Sequence, residues 1–239
     1  MGLYVILMGV QGAGKGEQAR FIRETYNIPH ISTGDLFRAM RTREDDLARR
    51  IQQIMAEGRL IDDATTNEVV KDRLSQPDAA NGAIFDGYPR TPAQADWLEA
   101  FLAEKGERIA TVLLLKLDLY TAFKRAFGRV SHPENGRSYN IYYNADGIEW
   151  QFVEHPEKTF PPRLKAVEKE TGTELVRRPD DGSADAILKR IDIFIQTTQP
   201  LIDYYAAKNL LHEINADQSI EAVSSEIKAR IEAARTRVD

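Results

Sequence analysis

The sequence of 239 residues contains no cysteine. This absence excludes disulfide bonds and thiolate metal sites, and it fits the reducing cytoplasm, where we expect the protein to work. No apolar run approaches the roughly 18 residues of a membrane-spanning helix, so we expect no membrane partner. The net charge of −5 offers no general basic surface. A protein that coats nucleic acid needs such a surface, so we expect no nucleic-acid partner.

The composition is otherwise ordinary, with 42% hydrophobic and 29% charged residues. A chain of this length forms one globular unit with room for a full core and small inserted lobes. Its apolar start, residues 3–8, is short and leads at once into glycines. This start therefore predicts a buried strand rather than a signal peptide.

Strand-like and helical patterns alternate along most of the chain. The predicted strands are residues 3–8, 27–32, 83–85, 109–115 and 210–214. Helices are predicted between them, including one that Thr91 caps before Pro92 and one over residues 120–130. This alternation predicts an α/β fold with a doubly wound parallel sheet of five strands, which binds ligands at the carboxyl ends of its strands. Residues 131–181 break the rhythm with turn signals and short strands rich in aromatic residues.

A glycine-rich loop follows the first predicted strand. Gly9, Gly12, Gly14 and Gly16 surround Lys15, and a helical pattern begins after Glu17. Glycines let successive backbone N–H groups converge on a phosphate, the helix N-terminus favours the anion, and the lysine adds a positive charge. A tight turn that binds nothing is the plain alternative, but four glycines around a lysine disfavour it. The loop predicts binding of a nucleoside triphosphate.

Four motifs resemble signatures of the adenylate kinase family, and they occur in the family order. They are the glycine loop at residues 9–18, Ser-Thr-Gly-Asp-Leu-Phe-Arg at 32–38, Asp-Gly-Tyr-Pro-Arg-Thr at 86–91 and Arg-Pro-Asp-Asp at 178–181. The resemblance implies a P-loop kinase with a core domain (1–31, 62–130 and 182–239), a helical domain for the monophosphate (32–61) and a lid (131–181). It also implies that a monomer transfers a phosphoryl group from ATP to AMP, giving two ADP, with Mg²⁺.

Phosphoryl transfer between nucleotides needs positioning and positive charge rather than a nucleophilic side chain. By resemblance, the catalytic residues are Lys15, Arg38, Arg90, Arg129, Arg178 and Arg190. The resemblance implies an ATP site formed by Gly12, Ala13, Gly14, Lys15, Gly16, Glu17, Arg129, Ser138, Tyr139 and Gln218. It implies an AMP site formed by Thr33, Arg38, Arg59, Leu60, Ile61, Gly87, Tyr88, Arg90, Gln94, Arg178 and Arg190.

Two aspartates are candidates for the magnesium site. Asp86 ends a predicted strand directly before Gly87, and Asp35 lies in the second motif. We expect both to hold Mg²⁺ through water, because Mg²⁺ gives up its hydration reluctantly. Asp35 is also a candidate N-cap for the helix that follows it.

One residue of the glycine loop departs from the family pattern. Members usually carry Thr after the glycine that follows the lysine, whereas this chain has Glu17. A carboxylate beside a polyphosphate repels it unless a cation pairs with the carboxylate. We expect Glu17 to form an ion pair with Arg129 or another arginine of the catalytic set.

The predicted lid also departs from the family members that hold zinc through two Cys-x-x-Cys pairs. The corresponding residues are His132, Asn135, Glu168 and Thr171. Because Asn and Thr are poor zinc ligands, we expect a hydrogen-bonded network and no zinc.

The lid contains a long insert, residues 142–166, with Trp150, Phe152, Phe160 and the prolines 156, 161 and 162. This insert is either an added recognition surface or a small aromatic core. The general tendency of aromatic clusters to be buried favours the core.

Two other functions remain open at the level of sequence. One is a kinase for another acceptor, UMP or CMP, or one that uses GTP as donor. The other is a non-catalytic nucleotide-binding protein, which Glu17 favours and which Lys15, Asp86 and the arginines oppose.

Overall fold

A computed structural model of the chain describes residues 1–57, 61–155, 157–158, 162–178 and 181–236. The chain divides into two compact units, each built from several segments. The first comprises Met1–Gly9, Gly14–Lys116 and Gln196–Asp239, and the second comprises Val10–Ala13 and Leu117–Ile195. The division into core, monophosphate-binding domain and lid stays a prediction.

In chain order the elements are β1 (Leu3–Gly9), α1 (Lys15–Tyr26), β2 (His30–Ser32), α2 (Thr33–Met40), α3 (Asp46–Ala56), α4 (Asp63–Leu74), β3 (Gly82–Asp86), α5 (Pro92–Ala103), β4 (Ile109–Lys116), α6 (Leu119–Phe127), β5 (Arg129–Ser131), β6 (Ser138–Asn140), β7 (Ile148–Val153), β8 (Arg163–Glu168), α7 (Ala184–Ala207), β9 (Leu211–Asn215) and α8 (Ile220–Thr236). No helix among the described residues has the length and apolar character to cross a membrane.

The first unit contains a five-stranded sheet in the order β2-β3-β1-β4-β9, with every neighbouring pair parallel. The central strand β1 is buried: Val5, Ile6 and Leu7 are at most 1% exposed. Burial of both faces explains why this strand is a continuous apolar run instead of an alternating one. The sheet confirms the predicted α/β fold. Because β1 and β3 are parallel neighbours, the residues that follow them lie at the same edge.

Helix boundaries in this unit follow local chemistry. The Thr91 hydroxyl accepts a hydrogen bond from the Gln94 N–H at the start of α5, with Pro92 in the first turn, as the sequence predicts. The second strand is shorter than the predicted 27–32, because Asn27 adopts a left-handed conformation (φ 50°) as the C-cap of α1.

The second unit contains two antiparallel strand pairs, β5–β6 and β7–β8. Helix α6 ends at Phe127, not at 130 as predicted, and β5 begins directly after Gly128. A Cβ atom on Gly128 would lie 2.7 Å from Cδ2 of Tyr142, so a larger residue at this position would displace the Tyr142 ring. The core of this unit comprises Val130, Tyr139, Ile141, Ile148, Leu164, Ala166 and Leu175.

The aromatic residues of the long insert are not part of this core. Trp150 is 42% exposed and Phe152 is 40% exposed. The two rings contact each other at 5.7 Å, and Phe152 contacts Phe127 at 6.1 Å. The prediction of a small aromatic core is therefore wrong for Trp150 and Phe152, because both rings are half-exposed. Phe160, Pro156 and Pro161 lie outside the described residues.

Candidate functional site

The glycine loop and the start of α1 bring Lys15 to the carboxyl end of β1. Gly14 is the residue before the helix and has a φ of 90°, a conformation that favours glycine. The Lys15 ammonium bends back and donates to the carbonyl oxygen of Gly9 at 2.7 Å. The loop therefore places a cation beside backbone groups that can receive a phosphate.

Asp86 ends β3, the strand beside β1. Its side chain is 17% exposed, and one carboxylate oxygen lies 3.4 Å from Nε2 of His30. Burial opposes its negative charge, but His30, Lys15 and Arg90 outweigh burial and hold the pKa of Asp86 below its usual value. Asp86 is thus ionised at neutral pH in a cationic surrounding.

Residues predicted for AMP binding meet around the carbonyl oxygen of Gly87. This oxygen accepts hydrogen bonds from the Thr33 hydroxyl and from Nε of Arg90, both at 2.9 Å. A Cβ on Gly87, which has a φ of 72°, would lie 3.2 Å from the Thr33 hydroxyl and 3.3 Å from an Arg90 nitrogen. Glycine at this position keeps the guanidinium close to the end of the strand.

Gln94 and Tyr88 are buried beside this group, at 4% and 1% exposure. The Gln94 carbonyl accepts from the Arg90 N–H at 2.7 Å, and its amide donates to Asp63 at 2.7 Å. An amide has a second hydrogen and a second lone pair, and these are the groups through which Gln94 would contact a base. The Tyr88 hydroxyl donates to Asn67 at 2.6 Å. The side chain of Tyr88 therefore packs inside the protein, so only its backbone is suited to a nucleotide.

Arg38 and Asp35 pair on the exposed surface of α2, where their side chains are 58% and 66% exposed. The N-cap of this helix is Ser32, whose hydroxyl accepts from the Asp35 N–H at 3.4 Å, so the interpretation of Asp35 as the cap is wrong. Ile61 packs against a small core that includes Met40. Arg59 and Leu60 lie outside the described residues.

The arginines of the second unit are organised by a buried carboxylate. The side chain of Asp181 has no exposed surface and accepts from Nε of Arg129 at 2.9 Å. Arg190 lies 3.9 Å from the other oxygen of Asp181. In the first unit, Glu17 pairs with Arg20, one helical turn along α1, at 2.8 Å. Its pairing with Arg129 or another arginine of the catalytic set stays a prediction.

The remaining predicted contacts are spread over both units. In the second unit, Arg178 is exposed, and β6 carries an exposed Ser138 beside a buried Tyr139. In the first unit, Gln218 is exposed and its amide donates to the Asn215 carbonyl at 2.8 Å. Each of these residues stays a prediction as a nucleotide contact.

A hydrogen-bonded network occupies the places of the zinc cysteines, as the sequence predicts. Glu168 accepts from the Tyr139 hydroxyl and from the Thr171 hydroxyl, the latter at 2.8 Å. Nε2 of His132 lies 3.7 Å from the same carboxylate. The bonds from Tyr139 and Thr171 hold the pKa of Glu168 below its usual value. Asn135 donates its N–H to Nδ1 of His132 at 3.4 Å.

A cluster of rings and cations in the second unit lies outside the predicted site residues. The guanidinium of Arg125 lies 5.4 Å from the centre of the Tyr143 ring, and the Lys124 ammonium lies 5.4 Å from it. Tyr143 is 47% exposed. Exposed rings beside cations can stack with a nucleobase. The paired tyrosines at 142–143 are the only sequence signal, and such a pair is too common to interpret alone.

The ionised carboxylate of Asp86 fits the chemistry of magnesium. No group of three or more His, Asp or Glu side chains among the described residues could form a metal cage. Mg²⁺ commonly keeps several waters and uses one or two carboxylates, so a site with few protein ligands suits it. Asp35 is an exposed second carboxylate whose partner is Arg38.

The parallel sheet, the glycine loop with its lysine and the acid on the adjacent strand together define a class of protein. Proteins of this class are P-loop proteins, which bind the phosphates of a nucleoside triphosphate through the glycine loop.

Comparisons with known proteins identify the family within this class. The family model described as adenylate kinase matches residues 7–210. The chain is 38% identical over 224 residues to an adenylate kinase of Thermoanaerobacter sp. (strain X514), covering 94% of this chain and 95% of the relative. Adenylate kinases of Shouchella clausii and Listeria monocytogenes serotype 4b are each 37% identical, covering 94% of this chain and 96% of the relative. The chain belongs to the adenylate kinase family of ATP:AMP phosphotransferases.

Proposed function

We propose that the protein catalyses the Mg²⁺-dependent, reversible transfer of the γ-phosphoryl group of ATP to AMP, giving two ADP. Family membership supports the reaction. The observation that carries the mechanism is the position of the Lys15 ammonium, which donates to the carbonyl oxygen of Gly9 and interacts electrostatically with the ionised carboxylate of Asp86.

The reaction needs no covalent catalysis by a side chain. The acceptor is the anionic phosphate of AMP, so no side chain has to generate a nucleophile. Catalysis comes from positioning and from stabilisation of charge on the moving phosphoryl group. In this proposal Lys15 binds the triphosphate, while Arg38 and Arg90 hold the AMP phosphate. Arg129, Arg178 and Arg190 neutralise the charge of the transferring group.

The glycine loop provides the proposed site for the phosphates of ATP. In this proposal backbone N–H groups of residues 12–17 surround the phosphates, and Glu17 is tolerated because its ion pair with Arg20, at 2.8 Å, offsets part of its charge. The proposal keeps Arg129, Ser138, Tyr139 and Gln218 as further contacts.

The group around Gly87 provides the AMP site. Thr33, which is 3% exposed, and Gln94 lie next to Arg90 and are the candidates for reading adenine. Arg59, Leu60, Ile61, Tyr88, Arg178 and Arg190 complete the proposed set.

Asp86 and Asp35 would hold Mg²⁺ through water. Bound there, the ion would neutralise charge on the phosphate oxygens of ATP. We also keep the predictions that the protein is a monomer in the cytoplasm, without zinc and without nucleic-acid or membrane partners.

A coupled assay of ADP formation from ATP, AMP and Mg²⁺ tests this function, with ATP alone as control. Turnover that requires AMP is the expected result. Binding of ATP without turnover of AMP, UMP or CMP would contradict the proposal and indicate a regulatory nucleotide-binding protein.

A further inference from the structure

Asp63 lies in the first turn of α4 and joins this helix to the start of α5. Its Oδ2 accepts from the Thr91 hydroxyl and its Oδ1 accepts from the amide of Gln94, both at 2.7 Å. Thr91 is the N-cap of α5, so the hydroxyl that holds Oδ2 is itself part of a helix end. The N-terminus of α4 favours the negative charge of Asp63. Both oxygens of the carboxylate are therefore engaged, and one of them is held against the Gln94 amide.

The orientation of the Gln94 amide is set by two partners of fixed polarity. Its Oε1 accepts from the backbone N–H of Arg90 at 2.7 Å, a group that can only donate. Its Nε2 donates to Asp63, whose carboxylate can only accept. Reversal of the amide would place an NH₂ group against an N–H group and a carbonyl oxygen against a carboxylate. Gln94 is 4% exposed, so little water reaches the amide to relieve either contact.

Helix capping alone does not account for this arrangement. Thr91 and Gln94 have the spacing of a capping box, in which the side chain at the third helical position accepts from the N–H of the N-cap residue. The Gln94 side chain accepts instead from the N–H of Arg90, one residue earlier. The amide is thus held beside the arginine of the proposed AMP site.

An amide of fixed orientation presents its donor and its acceptor in one order. In the proposed function, Gln94 contacts the base through the second hydrogen of Nε2 and the second lone pair of Oε1. Adenine offers the complementary pair, an amino donor beside a ring nitrogen that accepts. Hypoxanthine offers the opposite pair at the same two places, a carbonyl acceptor beside a ring N–H. Only a reversed amide matches hypoxanthine, and the partners of Gln94 oppose that reversal.

We propose that Asp63 is a positioning residue for base specificity, which holds the Gln94 amide in the orientation that selects adenine over hypoxanthine. It contacts no nucleotide itself and acts through Gln94. This inference rests on the proposed function, in which Gln94 reads the base of the monophosphate. An amide that could reverse without cost would match either base and would discriminate little between them.

The first test is Asp63→Asn, which keeps the shape of the side chain but can donate as well as accept. A reversed Gln94 amide then finds a partner at residue 63. We expect the ratio of kcat/KM for AMP to that for IMP to fall about tenfold, the size of effect for one hydrogen bond to a charged group. The measurement is the coupled assay at saturating ATP and Mg²⁺. A ratio equal to that of wild type would overturn the inference, because a loss shared by both acceptors indicates a role in stability alone.

The matched control is Asp78→Asn, which removes another carboxylate of the first unit. Asp78 pairs with Arg73 at 2.6 Å and its side chain is 58% exposed, so this change should leave the ratio unchanged. Titration calorimetry of AMP and IMP gives the corresponding ratio of Kd values without any need for turnover.

The second test is Asp63→Ala, which removes the acceptor altogether. No group at residue 63 then opposes reversal of the amide, so the ratio should fall to a similar extent. Asp63→Asn decides the question if Asp63→Ala does not fold. A ratio that stays at the wild-type value in a folded Asp63→Ala protein would overturn the inference.

The assays separate the inference from the proposed function. Wild-type protein that forms no ADP from ATP and AMP would refute the function, and the role of Asp63 with it. Wild-type protein that is active with AMP, but whose preference for AMP over IMP persists unchanged in Asp63→Asn, would refute the role of Asp63 alone.

Discussion

Lys15 donates to a backbone carbonyl, that of Gly9, at 2.7 Å. A carbonyl is a neutral acceptor, so an anionic phosphate can replace it with a gain in electrostatic energy. The lysine is therefore held near its working position by a bond that a nucleotide can exchange. The carboxylate of Asp86 adds a second, purely electrostatic restraint on the same side chain.

Lys15→Met should keep the fold and lower kcat on the order of a thousandfold or more, the range seen when one cation is removed from a phosphoryl-transfer site. The measurement is the coupled assay together with thermal unfolding by circular dichroism. Lys105→Met is the matched control, because Lys105 is an exposed lysine that lies over the Phe101 ring at 4.4 Å. Equal kcat in the two variants would contradict the role of Lys15.

Glu17 forms an ion pair with Arg20 in which the side chains are 42% and 57% exposed. Exposed pairs contribute roughly 0–1 kcal/mol, so Glu17→Gln should leave the melting temperature almost unchanged. The same change removes a negative charge beside the proposed phosphate site, so KM for ATP should fall by about twofold to fivefold. An unchanged or higher KM would show that Glu17 does not repel the nucleotide.

Among the elements, the hydrogen-bonded network around Glu168 depends on one charge. Glu168 is 5% exposed and accepts from Tyr139 and Thr171, with His132 at 3.7 Å. These partners prefer the ionised form, which is why the pKa of Glu168 is lowered. A lowered folded-state pKa gives stability that is present above the unfolded pKa of about 4.3 and is lost as the pH falls through the folded value.

Glu168→Gln should lower the melting temperature by several degrees at pH 7, because the hydroxyl donors lose a charged acceptor. The difference from wild type should shrink as the pH falls through the lowered pKa of folded Glu168, where the wild-type side chain becomes protonated as well. Thermal unfolding from pH 3 to 8 measures this. A difference that stays constant over this range would mean that the charge of Glu168 contributes nothing.

The strand β7 has a buried and a half-exposed part on one face. Ile148 is 4% exposed and belongs to the core of the second unit, whereas Trp150, two residues on, is 42% exposed. Ile148→Gln should cost about 3–5 kcal/mol, because it removes packing and buries an amide. Trp150→Gln should cost only about 1–2 kcal/mol, because its amide can reach water. Urea unfolding measures both, and equal losses would support the small aromatic core.

The whole molecule carries no cysteine and shows no cluster of metal-ligating side chains among its described residues. A zinc-selective chelator should therefore leave the melting temperature of the purified protein unchanged. Mass spectrometry under native conditions provides the control, since it would detect a bound metal directly. A large drop in melting temperature on chelation would show that the protein holds zinc.

Local chemistry made much of the fold predictable. The apolar run of β1 indicates a strand buried on both faces, and the Thr91-Pro92 pair marks the start of α5. The glycine loop with Lys15 could likewise be predicted from the sequence, because its backbone freedom and its charge are properties of adjacent residues. The site residues beyond the loop were assigned by resemblance to a family.

The sequence by itself determined the class of fold, the phosphate loop and the family. Only the tertiary structure decided the strand order, the exposure of Trp150 and the partners of the charged groups. Glu17 pairs with Arg20, and Asp181 holds Arg129 and Gln11. The physical reason is that periodicity and turn chemistry act between near neighbours. The partner of a carboxylate instead depends on distance and burial in the folded chain. Gln11, for example, contacts Asp181, which is 170 positions away in the sequence.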